Sequence, residues 1–142
     1  MTVNLGPYFT SHGDPALYRN LDHMDEAFLD FLWEVRRAAD IPFYITSAYR
    51  SAEHNLLIGG HPNSLHPLGR AVDFATKGSR SRDNQLYYED LWKITAAVTR
   101  ESTNIDCGVQ LELVKGPIDK HIHMGIYPEE WNKVSKIVLA ID

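Results

Sequence analysis

Between positions 22 and 39, apolar residues recur at three- and four-residue intervals: Met24, Phe28, Phe31, Leu32, Val35 and Ala39. That spacing gathers them on one face and predicts an amphipathic helix, with Asp22 placed to cap its start. Pro42 then forces extended backbone, and 43-FYIT-46 is a short run of strand formers. Ser51 is placed to cap a short helix over 52–58 that stops at Gly59-Gly60. Residues 59–68 read as a loop. From 69 to 75, Arg70, Val72 and Phe74 alternate with Ala71 and Asp73, which predicts a strand. A second long helix is predicted over 82–101, with Leu86, Leu91, Ile94 and Val98 inward. In 108-GVQLELV-114, Val109, Leu111 and Leu113 face one way while Gln110 and Glu112 face the other. In 120-KHIHMGI-126, His121, His123 and Gly125 share a face. Pro128 suits the first turn of a closing helix with Trp131, Val134, Ile137 and Val138 inward. Residues 1–20, rich in Gly, Pro, Ser and Asn, read as an extended arm.

This order, with its late strands joined as a hairpin, predicts an α+β fold: a small, mainly antiparallel sheet backed by helices. The 142 residues fit one domain, and 44% hydrophobic residues suffice for a core. No repeat, low-complexity tract or linker interrupts them. Net charge is -5 and no strongly basic block is present, which argues against nucleic-acid binding. No apolar run approaches the roughly 18 residues that span a bilayer. The lone Cys107 excludes an internal disulfide and a cysteine-rich zinc ribbon, and is expected to be a small buried hydrophobe. A monomer is the default expectation.

Seven histidines change the picture. His12, His23, His54 and His61 read as surface or loop residues. His66, His121 and His123 lie beside other metal-ligand types. If the strands bearing Asp73 and His123 are neighbours, His66, Asp73 and His123 converge as imidazole, carboxylate and imidazole. Three protein ligands with a fourth position open is the shell of a catalytic zinc site. Calcium wants more oxygens and copper often recruits sulfur. Zinc lowers the pKa of bound water to about 7 and polarises a carbonyl, which favours amide hydrolysis. The small Gly69 and Ala71 are expected to keep space beside the metal. Each fragment alone is a weak signal, because most histidines near strands are structural; the combination carries more.

The run 45-ITSAYRSAEHNLLIGGHPNSLHPLGRAVDF-74 resembles the core motif of the zinc D-alanyl-D-alanine carboxypeptidase and L-alanyl-D-glutamate endopeptidase family. The motif is a serine, a histidine two positions on, then G-x-A-x-D: here Ser64, His66, Gly69, Ala71 and Asp73. The wider superfamily includes lysostaphin-type endopeptidases and the hedgehog signalling domain, and several members end in H-x-H, as His121-Ile122-His123 does. The resemblance spans roughly residues 20–126. It implies a hedgehog-like zinc peptidase fold, one zinc ion per chain held by His66, Asp73 and His123, and peptidoglycan stem peptide as substrate. It gives His121 a place beside the metal, Arg50 a substrate carbonyl or carboxylate, and Ser64 the loop or the substrate; Gln110 is added as a substrate-facing candidate. Carboxypeptidase members carry an acidic residue where this chain has Lys120. The general base is therefore open among His121, Asp119 and Glu112, and a zinc-containing binding module that cleaves nothing is the alternative. The segments 76–84, with Lys77, Arg80 and Arg82, and 114–119 are the expected pocket loops.

The opening 15 residues lack a basic n-region and an apolar h-region. Synthesis in the cytoplasm is expected, followed by action on the cell wall after release or as a virion component. That favours a phage or prophage lytic enzyme, and the lack of a separate wall-binding domain a Gram-negative target.

Overall fold

The computed structural model describes residues 9–10, 14–40, 43–60, 62–76, 81–101, 109–115, 120–127 and 137–141. Their helices are α1 (Pro15–Tyr18), α2 (Glu26–Ala39), α3 (Ala52–Leu57) and α4 (Ser81–Glu101). Their strands are β1 (Phe43–Ser47), β2 (Ala71–Thr76), β3 (Val109–Lys115), β4 (Lys120–Ile126) and β5 (Ile137–Ile141), with 3-10 turns at Leu21–His23 and His66–Leu68. The sheet order is β1-β2-β4-β3-β5. Every pairing is antiparallel except β3 with β5. This is the expected α+β fold with a small, mainly antiparallel sheet.

Period-two alternation sorts the sheet into two faces. Phe43 and Ile45, Val72 and Phe74, Ile122 and Met124, and Val109, Leu111 and Leu113 are all buried on one of them. Phe43 stacks on Phe74 with centroids 4.2 Å apart. Onto this face pack Phe28, Leu29, Phe31, Leu32 and Val35 from α2, and Tyr88 and Leu91 from α4. The Tyr88 hydroxyl donates to the Leu111 carbonyl, so the buried phenol is satisfied. The opposite face carries Asp73, His121, His123, Gln110 and Glu112.

Several expectations are corrected. Residues 137–141 form a strand parallel to β3, not the end of a helix. Ile137 and Val138 begin an unbroken apolar run, IVLAI, which suits a short strand as well as a helix face. Trp131 and Val134 lie outside the described residues. The cap of α2 is Asp25, which accepts from Phe28 N at 2.9 Å. Asp22 sits in the preceding 3-10 turn, too early to reach the helix's free N–H groups.

The N-terminal segment is no extended arm where it is described. Residues 15–18 form a helical turn, and Phe9 and Leu17 are fully buried. Asp14 explains the docking: its carboxylate accepts from Ile45 N of β1 and from Thr10 N. Arg82 belongs to α4, because that helix already starts at Ser81. Lys77, Arg80 and Cys107 lie outside the described residues. The expected capping of α3 by Ser51 is present, with Ser51 Oγ accepting from His54 N at 3.0 Å.

Candidate metal centre

β2 and β4 are neighbours, and their register sets Asp73 directly opposite His123. Directly paired residues point to the same side, so carboxylate and imidazole meet on the open face. His66 comes from the 3-10 turn that covers the end of this face. That turn is held by close contacts. Gly69 has φ 68°, and a Cβ there would run into the His23 carbonyl oxygen. The Gly69 carbonyl accepts from Asp25 N at 2.9 Å, and the Arg70 carbonyl from Ile126 N at 3.0 Å. Gly125 leaves the space that Leu65 fills; a Cβ there would lie 2.7 Å from Leu65 Cδ1. The expectation that Gly69 clears space beside the metal is thus replaced by a turn and packing role. Ala71, fully buried, pairs with Gly125 under the same turn.

His66 Nε2 and His123 Nδ1 converge on one atom, Asp73 Oδ1, at 3.2 and 2.8 Å. A ligand atom from each of the three residues lies within 4.8 Å of the other two. His66 is 2% exposed, and the side chains of Asp73 and His123 are 16% and 12% exposed. His121 Nε2 stands 3.9 Å from Asp73 Oδ2 with a more open side chain, 36% exposed. It is at the rim of the cluster rather than in it.

The outward nitrogens of both histidines in the cluster are engaged. His66 Nδ1 lies 2.6 Å from the Ala48 carbonyl oxygen, which can only accept, so this nitrogen donates. His123 Nε2 lies 2.7 Å from Gln110 Oε1, and Gln110 Nε2 donates to Glu112 Oε1 at 2.9 Å. With both outward nitrogens protonated, the two inward nitrogens of neutral imidazoles present lone pairs. These face a carboxylate oxygen that also accepts. Such a set meets only through extra protons or around a shared cation. The donor set therefore fits a metal ion, and two nitrogens plus one oxygen suit zinc. Without a cation, burial works against ionising Asp73, but hydrogen bonds from protonated His123 and His66, and their charge, outweigh it and hold the carboxyl well below its ordinary value. Burial, then the charge of Glu112, pushes the Tyr127 phenol up.

The other expected site residues fall as follows. Ser64 Oγ accepts from His66 N at 3.2 Å, so it shapes the His66 turn. Arg50 lines a groove of about 400 Å³ with Arg19, Asn20, Thr46, Ala48 and His54. Its Nε is itself buried and has no hydrogen-bond partner. The groove borders the cluster through Ala48 and through Thr46, whose hydroxyl donates to the Asp73 carbonyl. Gln110, expected to face substrate, has both ends of its amide engaged. Glu112 sits behind His123, on the side away from Asp73, through Gln110. Asp119 lies outside the described residues. Lys120 opens β4 opposite Lys115. His23 and His54 are exposed as expected; His23 stacks on Tyr49 at 4.3 Å.

Sequence reasoning missed Ala48, whose contribution is a backbone atom and leaves no signal in residue type. It also missed Arg19, which the reading as an extended arm set aside.

The family model for Peptidase M15 matches residues 16–106. No curated protein matches the sequence. Among solved structures, the Serratia marcescens L-Ala D-Glu endopeptidase ChiX is similar in fold. It has a TM-score of 0.55 and 16% identity, over 82% of this chain and 90% of that one.

Proposed function

The chain belongs to the Peptidase M15 family, and from that premise we propose that it is a zinc-dependent peptidase hydrolysing an amide bond of the peptidoglycan stem peptide. The bond is the terminal D-Ala-D-Ala link or an L-Ala-D-Glu type link; the name of the similar Serratia enzyme supports the second. The observation that carries the proposal is the convergence of His66, Asp73 and His123 with both outward imidazole nitrogens already donating. A zinc ion bound there supplies a lowered water pKa and a polarised carbonyl.

The chain's own groups do the rest. His66 and His123 are held in one tautomer and orientation by Ala48 and Gln110. His121, at the rim and partly open to solvent, is placed to take a proton at Nε2 from the attacking water and to hand one to the leaving amine. Arg50 lines a groove together with Arg19 and His54, and no carboxylate lines it among the described residues. A planar guanidinium in such surroundings suits a substrate carboxylate or carbonyl. Stem peptides carry free carboxylates, so the charge of the groove matches them.

The test is a digest of intact peptidoglycan by the purified protein, with and without a chelator, read by mass spectrometry. Chelator-sensitive stem-peptide fragments are expected, and their masses name the bond. Lys120, standing where carboxypeptidase members carry an acid, favours one other reading: a zinc-containing module that binds the wall without cutting it. Stoichiometric zinc with no fragments sinks the peptidase proposal in favour of that one.

A further inference from the structure

We infer that Glu112 and Gln110 form a positioning relay that sets the tautomer of His123 and thereby its affinity for the metal. The inference rests on the reading of His66, Asp73 and His123 as a metal site, and it assigns a task to two residues that do not touch the ion.

The relay runs along three side chains. Glu112 follows Gln110 by two positions on β3, so both point to the open face, and the register places Glu112 opposite His123. An ionised carboxylate only accepts hydrogen bonds. The Gln110 group that meets Glu112 Oε1 at 2.9 Å must therefore be its amide nitrogen. That orientation leaves Gln110 Oε1 toward His123 Nε2, at 2.7 Å. A carbonyl oxygen also only accepts, so His123 Nε2 must carry the proton. The remaining nitrogen, Nδ1, 2.8 Å from the Asp73 oxygen, is then the one whose lone pair a cation shared with that oxygen takes up. A charge at Glu112 is thus read out as a lone pair at His123 Nδ1, two side chains away. The reverse amide orientation would aim an N–H at Nε2 and place the imidazole proton on Nδ1, where it blocks the metal.

His66 needs no such relay, because its partner is the Ala48 backbone carbonyl, which cannot flip. The asymmetry makes the relay specific: His123 alone depends on a side-chain amide for its tautomer, and a side-chain amide has two orientations.

The test compares wild type, Gln110→Met and the exchanged pair Gln110→Glu with Glu112→Gln. Methionine keeps the length of glutamine and removes the acceptor. The exchanged pair keeps an acceptor for His123 and a donor for that acceptor. Two readouts apply: zinc affinity by competition with a chromophoric chelator, and the protonation of each His123 ring nitrogen by 15N NMR of the metal-free protein. We expect Gln110→Met to bind zinc about 10- to 100-fold more weakly and to lose the fixed Nε2–H form. The exchanged pair is expected to recover most of both. Unchanged affinity and tautomer in Gln110→Met overturn the relay and leave the peptidase reading standing. Failure of the exchanged pair to recover also overturns it, because a generic packing defect then explains the loss. A wild-type protein that binds no zinc overturns both readings together.

Discussion

At the scale of single residues, the three histidines around Asp73 divide into two proposed ligands and a neighbour. His66 Nε2 and His123 Nδ1 share one carboxylate oxygen, whereas His121 stands 3.9 Å from the other and opens to solvent. Removing a ligand and removing the neighbour should therefore fail differently. His66→Ala and His123→Ala are expected to lose stoichiometric zinc and activity together. His121→Ala is expected to keep zinc at one per chain while its turnover falls about 10²- to 10⁴-fold, the usual contribution of a positioned acid–base group. Metal analysis beside a stem-peptide assay checks this. A His121→Ala protein lacking zinc would move His121 into the ligand set. A His66→Ala protein with full activity would end the assignment of the metal site. Arg50→Ala is expected to bind zinc normally but to lose about 10²- to 10³-fold in kcat/KM if its guanidinium meets the reacting carbonyl. Kinetics that are unchanged would return Arg50 to a purely structural place in the groove.

At the scale of elements, the site depends on how the His66 turn is pinned between the start of α2 and the end of β4. Gly69 is central, since it combines a left-handed φ of 68° with contact against the His23 carbonyl. Gly69→Ala should cost more than the 1–2 kcal/mol of the left-handed conformation alone, roughly, because the turn must also move away from His23. Chemical denaturation would measure it, and a loss below about 1 kcal/mol would mean the turn is not clamped as described. Much of this architecture was readable beforehand. The spacing from Met24 to Val35 and the alternation in β2, β3 and β4 are local patterns, and H-x-H on a strand puts both rings on one side without any knowledge of the partner strand. What escaped was non-local. β5 is joined in parallel to β3, and nothing within IVLAI distinguishes that strand from the buried stripe of a helix. Gln110 and Glu112 were legible as polar-face residues, but their connection to His123 exists only once β3 and β4 are laid in register. Asp14, inside a segment that looked like a tail, was hidden because its partner is a backbone N–H in β1.

At the scale of the whole molecule, the sheet separates two tasks. One face is sealed by α2 and α4 over the apolar core, and the other holds the polar cluster against the His66 turn. The three proposed ligands come from three segments: the turn at 66–68, β2 and β4. His66 is buried and tied to Ala48 beyond the end of β1, and an ion at the centre would fasten its turn to β2 and β4 at once. The unfolded chain has no such arrangement, so metal binding adds to folding stability through linkage. At free zinc about 100-fold above Kd, the gain is about 2.7 kcal/mol. For a chain of this length that corresponds to a rise in Tm of roughly 8 °C, at about 3 °C per kcal/mol. Calorimetry of the chelator-treated protein with and without added zinc measures the shift, and His66→Ala serves as the control, expected to stay flat. A wild-type Tm that does not move while zinc is bound would mean that the ion sits outside this clasp, or that the unfolded chain binds it equally well. A rise in wild type that survives in His66→Ala would locate the stabilising ion elsewhere. Only a rise that is lost with His66 ties the stability of the fold to the residues proposed to do its chemistry.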